Sequence, residues 1–273
     1  DTTANATAEG DPNLTLPAGF KATVVVEELP GRARHFAVND NGDVYVHMPE
    51  SHDGKGIAAL RDTNGDGKAD VIEYFGEPEG TGMGIHNGYL YLSDEQTVYR
   101  YTLKKDSLVP DLTSRVVVVG GFTKQTQHSD KPFCFDNAGH IYVNVGAPSN
   151  ACQKDDRSAG SPGMEPCPLL KLHGGIWQFD ANKTAQTQAK DGIRYATGLR
   201  NCMALEWNNS VNSLYAVQHG RDQLHEFWKA LYSEEANAEL PAEEFFQINK
   251  GDDFGWPYCY FDPSQNKKML SPE

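Results

Sequence analysis

The stretch of this chain best furnished for acid–base work is "QHSDKPF" at residues 127–133, where Asp130 and Lys131 follow His128 closely. The His128 imidazole titrates near neutral pH, so it can take a proton from a substrate hydroxyl and give it back. A lone histidine ahead of a strand caps a loop equally well, so His128 gains meaning only if other polar clusters meet it. Three loops carry such clusters: "GLRNCM" (198–203), "QHGRDQL" (218–224) and "KGDDFGWPYCYFD" (250–262). Each of them could also be satisfied by its own Arg/Asp pairs. Another pattern belongs to metal chemistry. "DTNGDGKAD" sets oxygen donors at Asp62, Asn64, Asp66 and Asp70, with Gly67 at the sharp turn and the Lys68 carbonyl available. The string satisfies the EF-hand pattern through Glu73, but "GIAALR" and "VIEYF" on either side read as strands. The expectation is therefore a structural calcium ion on a β-hairpin, weighed against an ordinary Asp/Gly-rich turn.

The elements that must position these groups come from internal repeats. "HFAVNDNGDVYVHM", "GMGIHNGYLYLSD", "PFCFDNAGHIYVNV" and "MALEWNNSVNSLYAVQ" share one plan: a short apolar strand, an Asn/Asp/Gly turn, then an alternating strand with a tyrosine. The tyrosines are Tyr45, Tyr91, Tyr142 and Tyr215; the last interval is longer because it holds a cysteine-bounded excursion. A second strand pair follows each hairpin, as in "GIAALRDTNGDGKADVIEYFG", "TVYRYTLKKDSLVPDLTSRVVVVGG" and "GGIWQFDANKTAQTQAKDGIRYATG". Four antiparallel strands in every repeat of roughly 40 to 50 residues define an all-β fold, a β-propeller with four-stranded blades. Residues 1–15 read as an N-terminal extension and 16–273 as the propeller. Only "QLHEFWKALYSEEANAEL" (223–240) has helical composition, as a short surface insertion. His128 lies in the loop leading into an innermost strand, where side chains can face the central channel.

Composition narrows the function. With 38% hydrophobic residues, 26 Gly and 15 Pro in 273 residues, the chain is turn-rich and globular, and no apolar run reaches the roughly 18 residues of a membrane span. A formal charge of −14 without clustered Lys and Arg argues against nucleic acid and for a small molecule or a cationic protein. The chain opens at Asp1 with no signal-like segment, which leads us to expect a processed, secreted or periplasmic protein. Its five cysteines fit an oxidising compartment better than a metal site. Cys152 with Cys167 is the favoured disulfide, and Cys202 with Cys259 a second. Sequons occur at Asn5, Asn13, Asn182 and Asn208, usable only in a eukaryotic secretory pathway.

"YATGLRNCMALEW", "HGRDQL" and "GDDFGWPYCY", in that order after the His-bearing "HSDKPFCFDNAGHIYVNVG", resemble the soluble quinoprotein sugar dehydrogenases, most closely their L-sorbosone dehydrogenase-like branch. The likeness runs from about Leu16 to Asp262. It implies a six-bladed propeller that binds pyrroloquinoline quinone (PQQ) over the channel with a calcium ion beneath, and that oxidises an aldose or related polyol. By motif, His128 takes the place of the general base, and Arg200 and Asn201 the places of the Arg-Asn pair beside the quinone. Arg200 would stabilise negative charge on the cofactor, and Arg221 would add a second cation. The backbone carbonyls of Gly220 and Arg221 match the family's calcium ligands. An electron acceptor, a cytochrome or a quinone, is also implied.

The match is incomplete. His219 stands where the family has an oxygen-bearing amide, a poor exchange for a hard cation. Ala147 and Pro148 replace polar groups. Four hairpin signals fall short of six blades, so the propeller is expected to be incomplete at its C-terminal side, with about four to five blades present. Two other readings stand beside the dehydrogenase: a cofactor-free propeller acting as a binding module, and a calcium-dependent lactonase.

Overall fold

The structure, a computed structural model, describes residues 6–8, 11–240 and 243–273. Asn5, and with it part of the expected N-terminal extension, lies outside the described residues. A hairpin of β1 (Ala6–Ala8) and β2 (Asp11–Leu16) precedes the first repeat. The first sheet runs β3 (His35–Val38), β4 (Val44–His52), β5 (Lys55–Arg61), β6 (Val71–Phe75), each antiparallel to the next. The second is β7 (Met83–His86), β8 (Tyr89–Ser93), β9 (Val98–Thr102) and β10 (Asp111–Gly120). The third contains β11 (Phe133–Phe135), β12 (His140–Val145), β13 (Gly175–Asp180) and β15 (Ile193–Thr197). Between its last two strands, β14 (Gln186–Thr187) crosses over to pair in parallel with β10, and α1 (Gln188–Asp191) follows it.

The fourth sheet has three strands, β16 (Cys202–Asn208), β17 (Ser213–Gln218) and β18 (Glu244–Ile248), and a hairpin of β19 (Cys259–Asp262) and β20 (Lys267–Leu270) comes last. The expected fourth outer strand is thus not part of this sheet.

The alternation of side chains along each strand decides what packs where. On β8, Leu90 and Leu92 join Tyr45, Ile57 and Phe75 of the first sheet, while Tyr91 joins Ile141 and Trp177 of the third. On β12, Ile141, Val143 and Val145 face the second sheet, and Tyr142 meets Trp207, Leu214 and Ile248 of the fourth. Sheets buried on both faces, stacked in sequence order, are the radial packing of a β-propeller. The outer face of the fourth sheet stays open, and so does the β3 edge of the first, whose β4 and β5 residues are covered on that face by Val26 and Leu29. Phe36 is 69% exposed on β3, and so is Phe245 on β18.

Two expectations need correction. The segment 223–240 is helical, in α2 (Leu224–Phe227) and α3 (Glu234–Glu239), but it is more than a surface insertion, because Leu224, Phe227, Trp228 and Tyr232 turn inward to pack with Ala151. Cys152 and Cys167 are joined, with Cα atoms 6.1 Å apart, but Cys202 and Cys259 are both free thiols. Cys202 is sealed in the core beside Trp207 and Leu214. Among the described residues no helix is long and apolar enough to cross a membrane.

Candidate functional site

Antiparallel pairing brings the motif loops together. Phe133 at the start of β11 lies opposite Val143 near the end of β12, and Cys202 at the start of β16 lies opposite Gln218 at the end of β17. The loops before β11, after β12, before β16 and after β17 therefore emerge at the same end of two neighbouring sheets. His128, Ala147, Arg200 and the 219–222 loop sit in them.

His128 occupies the left-handed backbone region, with φ of 51°. Its Nδ1 is 2.6 Å from the Ala147 carbonyl oxygen. A carbonyl only accepts, so Nδ1 carries the proton and Nε2 keeps its lone pair. Burial, then the Arg200 charge, push the imidazole down to about 4, with the Ala147 carbonyl opposing them. The ring is neutral at neutral pH, which is the form a base needs. Gly146 makes this approach feasible: a Cβ there would stand 2.7 Å from both His128 Cβ and Asn201 Oδ1. Lys131 is wholly buried, its ammonium donates to the Ser129 carbonyl, and burial pushes it down to about 8.

Arg200 is 2% exposed. Its Nε donates to the Asn150 carbonyl at 3.2 Å and its Nη1 to the His219 carbonyl at 3.4 Å. Nη2 stands 3.2 Å from Asp222 Oδ2 but makes no well-directed hydrogen bond. Burial pushes the guanidinium down to about 10, so it stays charged at neutral pH. Asn201 is buried too, its Oδ1 accepting from Asn144 Nδ2 at 3.3 Å. Ala147, although it lacks a polar side chain, ties the halves of the site together: its N–H donates to the Arg200 carbonyl at 2.8 Å while its own carbonyl holds His128.

Several contacts gave no signal in the sequence. Asp222 Oδ1 accepts from Arg157 Nη1 at 3.0 Å, so one carboxylate is shared by two guanidinia. Arg157 Nε also donates to Gln127 Oε1 at 2.6 Å, which anchors the cysteine-bounded excursion beside His128. Asn150 grips Asp222 by both backbone groups, giving Nδ2 to its carbonyl at 2.7 Å and taking its N–H at 3.0 Å. Partners 65 and 72 residues apart leave no local pattern to read.

Arg221 and His219 do not join this group. The Arg221 guanidinium, 3% exposed, donates to Tyr232 Oη at 3.0 Å, pairs with Glu273 and lies 4.3 Å from the centre of the Tyr260 ring. Between it and Arg200, beside Gly220, Gln218 and Glu244, is a cavity of about 20 Å³, room for one water and no quinone. His219 faces out to Glu243, Nδ1 to Oε2 at 2.8 Å. His219 thus brings no side-chain oxygen to a calcium ion at Gly220 and Arg221, and two buried guanidinia lie against that cavity.

On the β5–β6 hairpin the expected structural calcium loop is satisfied internally. Asp62 accepts from the amides of Asn64, Gly65 and Gly67 at 3.1, 2.7 and 2.7 Å, and Asp70 from Thr63 N and Oγ1, both at 2.7 Å. Asn64 Nδ2 donates to Asp70, and Asp66 Oδ1 accepts from the Lys68 amide. These bonds hold both Asp62 and Asp70 below the usual carboxylate range. Among the described residues no group of three or more His, Cys, Asp or Glu side chains is gathered to hold a metal ion.

Stacked antiparallel sheets with a His-Arg-Asn cluster at one end of the third and fourth define a propeller with a polar cluster at its strand ends. The chain belongs to the TrAA12-like family, whose model matches residues 14–269. It is similar to the solved structure of a Carbohydrate-Active Enzymes Family AA12 protein from Trichoderma reesei, at 18% identity and a TM-score of 0.70, over 88% of this chain and 62% of that one. It is also similar to the PQQ domain of pyranose dehydrogenase from Coprinopsis cinerea, solved in its holo form, at 14% identity and TM-score 0.66 over 88% and 58% of the two chains. The PQQ-bound aldose sugar dehydrogenase from Streptomyces coelicolor matches at 17% and 0.55, over 91% and 70%. The chain spans less than two thirds of the first two relatives' length, and at these identities the likeness shows the fold. No curated protein matches it in sequence.

Proposed function

We propose that this propeller is the catalytic unit of a PQQ-dependent dehydrogenase that oxidises an aldose or related sugar or polyol. The observation that carries the reading is the pinned His128: Nδ1 is fixed on the Ala147 carbonyl, which leaves Nε2 as a neutral base beside a buried arginine. A quinone bearing carboxylates fits that arginine, because Arg200 Nη2, although 3.2 Å from Asp222 Oδ2, is buried without a well-directed hydrogen bond. Arg221, paired with Glu273 and Tyr232 through Nη1 but with Nε and Nη2 likewise buried without a hydrogen-bond partner, is a second cation for this role. When bound, the quinone supplies the hydride acceptor. His128 Nε2 takes the proton of the substrate hydroxyl as its carbon loses hydride, so an aldose leaves as a lactone. The imidazolium is then stabilised by the Ala147 carbonyl and Asp222 and returns its proton to water. Calcium does not fit the 219–221 loop as it stands, and these proton steps do without it.

The exposed faces at Phe36 and Phe245 support the further reading that additional sheets of a longer polypeptide pack there, and the disulfide supports export. A lactonase would need several metal-ligating side chains converging from different sheets. The cluster at this site is cationic instead. A cofactor-free binding module remains the reading to beat, because His219 is turned away from the channel-end groups to Glu243.

The test is His128→Ala in protein supplied with PQQ. Sugar-dependent dye reduction should fall by about two to four orders of magnitude while the quinone absorbance change on binding persists. Equal activity in the variant defeats the base assignment, and no binding of quinone by the wild-type chain defeats the cofactor.

A further inference from the structure

The loop that carries His128, residues 121–132, has no helix or strand of its own. One side chain fixes it. Gln125, 6% exposed, aims its amide nitrogen at three carbonyl oxygens: Gln127 at 2.7 Å, His128 at 2.8 Å and Gly146 at 3.0 Å. Two N–H groups thus serve three acceptors. The amide cannot be turned over, because its oxygen would then face three carbonyl oxygens, so Oε1 is left buried without a hydrogen-bond partner. Two of the clamped carbonyls belong to His128 and the residue before it. The third precedes Ala147, whose own carbonyl holds His128 Nδ1. A single amide therefore fixes the backbone on both sides of the hydrogen bond that sets the imidazole tautomer.

We infer that Gln125 is a positioning residue for His128, holding it in its left-handed conformation with Nδ1 on Ala147 and Nε2 free. The inference rests on the reading of His128 as the base only for its effect on rate; the geometry is testable without it. Gln125→Met keeps length and removes both donors. In protein labelled at histidine, with His128→Ala used to assign the signal, the His128 titration should rise from about 4 toward the ordinary 6.5 as the loop loosens and the ring hydrates. With PQQ and sugar, kcat should fall about 100-fold, the usual cost of misplacing a reacting group by about 1 Å, while KM changes little. A folded Gln125→Met protein whose His128 titrates as in the wild type overturns the proposal.

Should that variant fail to fold, Gln125→Glu serves: its protonated carboxyl can donate one bond, whereas the carboxylate repels all three carbonyls. The His128 resonance should be native-like in acid and displaced reversibly as the carboxyl ionises. A resonance that ignores that ionisation also overturns the proposal. If His128→Ala retains activity while the Gln125 variants shift the titration, the base reading falls and the clamp stands.

Discussion

Gly146→Ala tests the site where its tolerance is least. The glycine has no positive-φ requirement, so alanine is allowed by the backbone and the penalty is wholly steric. The added methyl would stand 2.7 Å from His128 Cβ, 2.7 Å from Asn201 Oδ1 and 2.9 Å from the His128 carbonyl. Carbon atoms pack at about 3.5–4.0 Å, so one neighbour must retreat by about 1 Å. The neighbours are the peptide clamped by Gln125 and an Asn201 already bonded to Asn144, and neither is the free end of a flexible chain. Overpacking of this kind costs about 1–3 kcal/mol, and a 1 Å displacement of a base costs about 100-fold in rate. Gly120→Ala is the control: its nearest neighbour is Val117 Cγ1 at an ordinary 3.6 Å. Calorimetry and PQQ-dependent dye reduction on both variants should show a melting temperature several degrees lower and a kcat about two orders lower for Gly146→Ala alone. If Gly146→Ala behaves like the control, the close packing of His128 against Asn201 is wrong.

Acid should weaken the fold through its buried histidines. Burial pushes His47, wholly enclosed, down to about 4, so between pH 4 and 6.5 the unfolded chain binds more protons than the native one. That contribution is complete above pH 6.5 and is lost as the pH falls through the window, by about 3 kcal/mol at its lower end. His47→Asn should flatten the melting temperature between pH 4 and 6.5, and an unchanged slope would show that His47 is not responsible. At the β5–β6 hairpin, Asp62→Ala should lower the melting temperature equally with calcium or chelator present, because Asp62 serves three amides of its own loop; stabilisation by calcium that vanishes in the variant would restore the metal site. Replacing Cys152 and Cys167 by alanine should cost about 3 kcal/mol for a loop of this length and raise the sugar KM by freeing Arg157; a KM that does not move would show the excursion is no wall of the site.

The propeller was legible because each repeat states its pattern locally: an Asn/Asp/Gly turn such as Asp136–Gly139 and an alternating strand such as β12 can be read without knowing their neighbours. The placement of His128 and Arg200 followed from the same logic, since the loops before β11 and β16 must emerge together once the hairpins pair. What was hidden depends on contacts across the sheets. Gln125 has no motif because its partners are backbone carbonyls, which every residue has. Asp222 was visible in "HGRD", but its service to both Arg157 and Arg200 appears only when the cysteine-bounded excursion folds over it. The inward packing of segment 223–240 was hidden for a related reason. Its aromatic residues found a tertiary pocket beside Ala151.

The site and the open faces lie on different parts of the molecule, and this bears on what the chain can do alone. His128, Ala147, Arg200 and Asp222 are drawn from the third and fourth sheets and the loops between them. The interface beneath them is closed, with Tyr142 stacked 5.1 Å from Trp207 among buried Ile176, Leu214 and Ile248. The unsatisfied apolar surface is on the far side of the fourth sheet, at Phe245 and Val217, and at the β3 edge of the first, at Phe36 and Val38. Covering those faces would add stability by removing apolar area from water, but it would not set the hydrogen bonds that fix the His128 tautomer. His128 and Arg200 are therefore preorganised by the sheets in hand, whatever chemistry they serve. On the proposed reading, elements packed on the open faces would add walls to those the excursion supplies, so their loss should weaken substrate and cofactor binding while leaving the His128 titration where it is.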